Sequence, residues 1–123
     1  MTQHWQSSVA VKSVAWPGVE LVVARMSFGR RLDLMRRIRD LAARAEFLEA
    51  GENGKDRMDA SLLAAEIDRL YVEWGVVEIR GIEFNEQAAD VRGLIETGRE
   101  ELFREALAAV KSESGLSETE RKN

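Results

Sequence analysis

Side chains with strong chemical reactivity are scarce in this chain. Histidine occurs once, as His4, and cysteine does not occur. A thiolate nucleophile, a disulfide and a cysteine-bound zinc ion are therefore excluded. A single histidine cannot form a histidine-rich metal site, and as a general base it would need partners from elsewhere in the chain. Because His4 lies close to a terminus, we interpret it as a surface residue and expect neither a metal nor a cofactor.

The stretch GENGK, residues 51–55, has the glycines and the lysine of a phosphate-binding loop. A P-loop requires four residues between its glycines, a serine or threonine after the lysine, and a strand before it. Here two residues separate Gly51 from Gly54, Asp56 follows the lysine, and a helical pattern precedes the stretch. We therefore interpret the segment as a turn between two helices.

Charged side chains are abundant, but their arrangement does not specify a reaction. Catalysis by carboxylates would require two of them at a fixed separation in a cleft, so we interpret the many acidic residues as a solvated surface. The basic stretch GRRLDLMRRIR, residues 29–39, could contact phosphate groups. Acidic residues stand four positions from several of its arginines, which predicts ion pairs along a helix. The predicted pairs are Asp33–Arg37, Arg36–Asp40 and Asp40–Arg44. We therefore expect no nucleic-acid binding.

The composition is that of a soluble globular protein. Of the 123 residues 45% are hydrophobic and 33% are charged, and the formal net charge is −4. This acidic balance gives no general attraction to nucleic acid or to an anionic membrane. The N-terminus lacks the pattern of a signal peptide, and no apolar run approaches the roughly 20 residues of a spanning helix. We expect a cytoplasmic protein with one domain over residues 1–115 and a flexible polar tail over residues 116–123.

Hydrophobic periodicity predicts an α+β fold in which an N-terminal β-hairpin packs on three to four amphipathic helices. The strand-like segments SVAVKSVA and VELVVARM flank a turn that contains Trp16, Pro17 and Gly18. The stretch VVEIRGIEFNE is also β-like, with a turn at Asn85, and is a candidate third strand for a small antiparallel sheet. Apolar residues at helical spacing predict helices over about residues 30–50, 58–74, 91–96 and 97–112.

The ends of these helices carry capping signals. Ser27 and Asp90 are predicted N-caps of the first and third helices. The sequence TGRE, residues 97–100, has the pattern of a capping box at the start of the last helix. Glycines are predicted to end three of the helices, at Gly51, Gly75 and Gly115.

Three long segments have the order and character of a known family. They are WPGVELVVARMSFGRRLDLMRRIRDL, EIDRLYVEWGVVEIRGIEF and LIETGREELFREALAAVKSESGLSETERKN, with YVEWGVVEIRGIE and LSETERKN the most specific parts. Over about Val14 to Asn123 the chain resembles the small tail assembly chaperones of tailed bacteriophages and prophages. It departs from that pattern at Arg99, where a proline is expected.

The resemblance implies a binding protein and not an enzyme. Such chaperones bind the tape-measure protein, keep its long hydrophobic helices from aggregating, and help to recruit tail-tube subunits. Many are also made in a longer form through a programmed ribosomal frameshift, and the codons of Lys122 and Asn123 can form a slippery run. On this hypothesis residues 116–123 are a linker to an additional domain.

Four large apolar residues are candidate partner contacts. An amphipathic helix edge can accept a partner helix, which selects Phe47, Leu48 and Phe84. Phe47 is the clearest of these, because it lies off the main apolar stripe of its helix. Trp16, at the tip of the hairpin, would be a good interface anchor if exposed, although packing on the helices is the alternative.

Two other functions are compatible with the same residues. The first is a virion structural subunit, such as a head–tail adaptor or a tail terminator, because these are also small, cysteine-free α+β proteins that assemble into rings. The second is a nucleic-acid-binding regulator that uses the arginines from Arg30 to Arg39. A homo-oligomer is compatible with the sequence, which leaves the number of subunits open.

Overall fold

The structure, a computed structural model, describes residues 1–51 and 54–115. The α+β architecture predicted from the sequence is confirmed. The predicted tail, residues 116–123, lies outside the described residues. Within the described part of the chain, no helix has both the length and the apolar character needed to cross a membrane. In chain order the elements are β1 (Ser8–Lys12), β2 (Glu20–Ala24), α1 (Phe28–Glu49), α2 (Gly54–Gly75), β3 (Val76–Arg80), β4 (Glu83–Phe84), β5 (Gln87–Ala88), α3 (Val91–Glu96) and α4 (Glu100–Ser114).

Backbone packing groups these elements into two compact units. The first unit contains Met1–Met26 and Val72–Gly115, and the second contains Ser27–Tyr71. The first unit therefore holds all five strands with α3 and α4, whereas α1 and most of α2 form the second. The single domain predicted for residues 1–115 stays a prediction.

The sheet of the first unit has the strand order β1-β2-β3, with antiparallel neighbours. The predicted pairing of the third β-like stretch with the hairpin is thus confirmed. The central strand β2 is buried on both faces, since the successive residues Leu21, Val22 and Val23 are at most 5% exposed. Helix α4 packs on β2. Its inward residues Leu102 and Val110 are each 1% exposed.

Charged residues form a row across one face of this sheet. Lys12 lies opposite Glu20, and Glu20 lies opposite Arg80. The Arg80 guanidinium also contacts Glu78, with 3.0 Å between Nη2 and Oε2. This hydrogen bond and the charge of Glu78 raise the pKa of Arg80, with a smaller contribution from Glu20. Opposite charges on neighbouring strands favour this register over a shifted one.

Two of the predicted N-caps are present. The Ser27 hydroxyl accepts a hydrogen bond from the Arg30 backbone N–H at 3.3 Å, where α1 begins. The Asp90 carboxylate accepts one from the Gly93 N–H at 2.6 Å, where α3 begins. At the other end of the first unit, Gly115 has a φ of 63° and ends α4 in the left-handed conformation, as predicted.

Two helix starts differ from the predictions. The capping box at residues 97–100 does not form, because α4 begins only at Glu100. The Thr97 hydroxyl instead donates to the Gly93 carbonyl at 2.9 Å, at the end of α3. Arg99 occupies the N-cap of α4 without a side-chain hydrogen bond. Helix α2 begins at Gly54 and not near residue 58, with Asp56 in its first turn. A carboxylate there stabilises the positive end of the helix dipole, which favours the earlier start.

Candidate functional site

The four predicted contact residues lie in two surface hollows, one in each unit. Trp16 and Phe84 line a hollow of about 310 Å³ in the first unit, which we call the Trp16 pocket. Phe47 and Leu48 line a hollow of about 320 Å³ in the second unit, which we call the Phe47 hollow. The structure thus brings Trp16 and Phe84 to the same hollow, although they are 68 positions apart in the sequence. Each hollow is described by itself.

The turn that carries Trp16 is held by one carboxylate from α4. Glu105 accepts hydrogen bonds from the Ser13 hydroxyl at 2.7 Å, from the Val14 N–H at 2.7 Å and from the Ala15 N–H at 3.4 Å. The Ser13 hydroxyl oxygen in turn accepts a hydrogen bond from the backbone N–H of Trp16 at 2.9 Å. A short chain of hydrogen bonds therefore runs from α4 to the backbone of Trp16.

These contacts also set the charge state of Glu105. The hydrogen bond from Ser13 lowers the pKa of the carboxyl below its ordinary value of 4.5, partial burial opposes this, and the N–H groups of Val14 and Ala15 lower the pKa further. The ionised form is favoured because hydrogen bonds to a carboxylate stabilise its charge. At neutral pH the ionised Glu105 carboxylate therefore holds the turn in place through these hydrogen bonds.

Phe84 reaches the Trp16 pocket from a tight hairpin between β4 and β5. The two turn residues, Asn85 and Glu86, have φ values of 52° and 68°. Positive values at both central positions match the type I′ turn that suits a two-residue hairpin. The Phe84 ring lies against Gly93 of α3, where an added Cβ would come within 3.1 Å of Cδ2. The predicted turn at Asn85 is thus confirmed, and the missing side chain of Gly93 leaves room for the ring.

The connection between α3 and α4 also lines the Trp16 pocket. Gly98 forms part of this connection, and its N–H donates to the Gly93 carbonyl at 2.9 Å. The full lining is Trp16, Ile82, Glu83, Phe84, Asn85, Thr97, Gly98, Arg99 and Leu102. Aromatic and aliphatic surface is combined with amide, hydroxyl and charged groups, which is the chemistry of a pocket that binds an apolar group within a polar rim.

Trp16 itself is half-buried, so neither of the two alternatives from the sequence describes it fully. Its Nε1–H is buried without a hydrogen-bond partner among the described residues. An unpaired buried donor is unfavourable, and the packing of the indole ring must offset this cost. Trp16 is therefore partly a packing residue and partly a wall of the pocket.

The Phe47 hollow lies on the C-terminal part of α1. It is lined by Ala43, Arg44, Phe47 and Leu48, so only one lining residue is charged. The Phe47 side chain is 79% exposed, whereas Leu34 and Ile38 on the other side of α1 are at most 1% exposed. The prediction that Phe47 lies off the buried stripe is confirmed.

The basic stretch of α1 is only partly neutralised. The predicted pair of Asp33 and Arg37 forms, with 3.0 Å between Oδ2 and Nε. The two pairs predicted for Asp40 do not form within the described part of the chain. Spacing of four permits such a pair, but exposed ion pairs gain little and pay side-chain entropy. Arg36 and Arg39 are exposed, and neither has an ion pair with another described residue.

Some residues of the candidate surfaces were not selected from the sequence. Glu105 was one acidic residue among 22, and its contact with Ser13 spans 92 positions. Two exposed apolar residues at the start of α1, Phe28 and Leu32, were also missed; they are 79% and 38% exposed. Their signal was present, because both lie off the buried stripe in the same way as Phe47.

Metal chemistry finds no support in the geometry. Among the residues that the structure describes, no three or more His, Cys, Asp or Glu side chains cluster in a way that could hold a metal ion.

Comparison of the chain with protein families, with curated proteins and with solved structures finds no match. Functional inference therefore rests on the two hollows and the surface of α1.

Proposed function

We propose that the protein is a tail assembly chaperone of a bacteriophage or prophage. It binds helical, apolar segments of the tape-measure protein in the host cytoplasm and assists assembly of the tail tube. It acts by binding and not by catalysis, and it needs no cofactor. The observation that carries the proposal is Phe47, a large aromatic side chain that is 79% exposed beside an apolar hollow of about 320 Å³.

An exposed aromatic residue beside a hollow is suited to a helical partner. Amphipathic helices dock by inserting apolar side chains, spaced at three or four residues, into apolar grooves. The Phe47 hollow is large enough for one such side chain, and Ala43 leaves space above the helix backbone. The sequence resemblance to tail assembly chaperones supports a partner of this kind, since tape-measure proteins are long and helical.

The expected affinity suits a chaperone that must release its partner. Burying one leucine or phenylalanine side chain contributes about 1.5–3 kcal/mol. A stable complex usually buries more than roughly 1,000 Å², which one hollow cannot provide. The Phe47 hollow alone therefore gives weak and reversible binding, and additional contacts must strengthen it. The Trp16 pocket is a second surface with suitable chemistry, because Phe84 and Leu102 line it.

The test is to co-express the chain with a long apolar segment of the tape-measure protein from the same phage. We expect wild-type protein to increase the soluble fraction of that segment, and Phe47→Ala to reduce this effect. Purified phage particles should contain the tape-measure protein without this chain. A fixed number of copies in every particle, with no effect on solubility, would instead establish the virion-subunit alternative.

The longer form belongs to the same proposal and has its own measurement. The gene is expressed together with its native downstream DNA, and the products are weighed by mass spectrometry. A minor species that shares this sequence to about Lys122 and continues in another frame is expected. A single product would remove the frameshift from the proposal and leave the binding function to the co-expression test.

A further inference from the structure

The outward face of α1 carries a continuous stripe that extends well beyond the Phe47 hollow. Its members recur every three or four residues, so they share one side of the helix. Buried residues such as Leu34 and Ile38 occupy a different side. The members of this α1 stripe are Phe28, Leu32, Arg36, Arg39, Ala43 and Phe47.

The stripe is exposed along its whole length. Phe28 and Phe47 are each 79% exposed at its two ends, Leu32 is 38% exposed, and the other members are also exposed. The two phenylalanines are 19 positions apart, which corresponds to roughly 28 Å of helix. A helical partner of about five turns would match this length.

The charges in the middle of the stripe restrict what can cover it. Arg36 and Arg39 have no ion pair with another described residue, and they stand between apolar groups on both sides. A wholly apolar partner would remove two guanidinium groups from water without compensation, which is unfavourable. Carboxylates at the matching positions would pair with them, and arginine is well suited to such pairs at interfaces.

From this arrangement we infer that the α1 stripe binds an amphipathic helix with apolar side chains at both ends and acidic side chains in the middle. One apolar end of this helix contacts Phe28 and Leu32, and its other apolar end contacts Ala43 and Phe47. The acidic residues face Arg36 and Arg39. The inference deepens the proposed function, and the identification of this helix as part of the tape-measure protein rests on that proposal.

A second copy of the chain is a poor occupant of the same stripe. In an antiparallel pair of α1 helices, the midpoint of the stripe would place Arg36 opposite the Arg39 of the other copy. In a parallel pair, each arginine would face its own equivalent. Both arrangements bring like charges together, which costs free energy. Charge complementarity therefore favours a different chain with acidic residues.

Nucleic acid is also disfavoured as the occupant. Phosphate binding would use the two arginines but would leave the exposed Phe28 and Phe47 without a role. A nucleic-acid backbone carries negative charge along its whole length, whereas the stripe has arginines only in its middle.

The test uses labelled helical peptides of about 20 residues and the full chain, with binding measured by fluorescence anisotropy. The acidic peptide has leucines at both ends of one face and two glutamates between them. The control peptide is identical except that lysines replace these glutamates. We expect the acidic peptide to bind and the lysine peptide to bind about tenfold more weakly or not at all. Equal binding of the two peptides would overturn the inference.

The second part of the test reverses the charge of the two arginines in the protein and repeats the binding measurement with both peptides. The double variant Arg36→Glu, Arg39→Glu should weaken binding of the acidic peptide by about tenfold or more and should strengthen binding of the lysine peptide. A matched control, Arg92→Glu with Arg104→Glu, changes the net charge equally at exposed residues of the first unit and should leave the preference unchanged. Circular dichroism of both variants establishes that α1 remains folded. A reversal of preference in the control variant would show that net charge alone is responsible.

Remaining outcomes separate this inference from the proposed function. If the chain solubilises the tape-measure segment but its affinity for the peptides depends neither on their charge nor on the two arginines, the α1 stripe inference fails and the chaperone function stands. If the acidic peptide binds as expected but the tape-measure segment is unaffected, the stripe has another partner and the proposed function fails. Self-association abolished by the double variant, or tighter binding of a DNA duplex that needs both arginines, would overturn the inference in favour of those occupants.

Discussion

The Glu105 carboxylate accepts a hydrogen bond from the Ser13 hydroxyl at 2.7 Å, across 92 positions of sequence. The same carboxylate also accepts the N–H groups of Val14 and Ala15. One side chain of α4 thus replaces the hydrogen bonds that water would otherwise make to the turn. Because Trp16 follows directly and lines the Trp16 pocket, the shape of this pocket depends on an ionised carboxyl outside its lining.

The hydrogen bonds between Glu105 and the turn should make the stability of the protein depend on pH in a defined direction. The folded state lowers the pKa of Glu105, so its stabilising contribution is fully present above the ordinary value of 4.5 and is lost as pH falls through the lowered value. We expect Glu105→Gln to reduce the free energy of unfolding by about 1 kcal/mol at pH 7. Urea denaturation at several pH values measures the difference.

The difference between wild type and Glu105→Gln should shrink as the carboxyl becomes protonated. Glu101→Gln is the matched control, because Glu101 is an exposed residue of the same helix whose contact with Arg99 is long, at 3.9 Å. A constant difference across acidic pH, or an equal effect in the control, would show that ionised Glu105 does not hold the turn.

Gly98, the glycine that lines the Trp16 pocket, should not tolerate a side chain. An added Cβ would lie 2.8 Å from the backbone oxygen of Leu94 and 3.0 Å from its Cδ1, and Leu94 is only 1% exposed. A backbone atom of a buried residue cannot move aside easily, so Gly98→Ala should cost about 1–3 kcal/mol. Gly29→Ala is the control, because the space around Gly29 in α1 is open. That substitution should be neutral or raise stability by about 0.5 kcal/mol. Equal effects of the two changes in thermal unfolding would contradict the steric explanation.

The hairpin that presents Phe84 carries a correctable strain. Glu86 has a φ of 68°, and a residue with a Cβ is unfavourable in this region by roughly 1 kcal/mol. Glu86→Gly converts the turn to Asn-Gly, the preferred type I′ sequence, and should stabilise the first unit by about 0.5 kcal/mol. Gln87→Gly, in the adjacent strand β5, should instead destabilise it. Thermal unfolding of the two variants should therefore move in opposite directions, and a shared direction would exclude backbone strain as the cause.

The features that the sequence predicted correctly are those that depend on near neighbours. Ser27 and Asp90 cap their helices through the N–H three residues ahead, and hydrophobic spacing alone separates Phe47 from the buried residues of α1. The Trp16 pocket depends instead on three separate connections that the fold brings together. No local pattern distinguishes Glu105 from the other carboxylates, because its partners are chosen by the packing of α4 on β2.

The incorrect predictions have a common physical origin. Thr97 has the spacing of a capping residue that would accept an N–H of α4, but its hydroxyl instead donates to the Gly93 carbonyl at the end of α3. Asp40 has the spacing for two ion pairs, yet exposed side chains have little to gain from them. In both cases the pattern defines which contacts are possible, and competition with neighbouring groups or with water decides which contacts form.

Binding and stability should separate on the two sides of α1. Phe47 is 79% exposed, so Phe47→Ala should change the free energy of unfolding by less than about 0.5 kcal/mol while weakening partner binding. Leu34 is fully buried on the same helix, and Leu34→Ala should cost about 2–5 kcal/mol. Isothermal titration with the tape-measure segment, beside urea denaturation of both variants, measures the two effects. If Phe47→Ala lowers stability and leaves affinity unchanged, Phe47 is a structural residue and the Phe47 hollow is not the binding site.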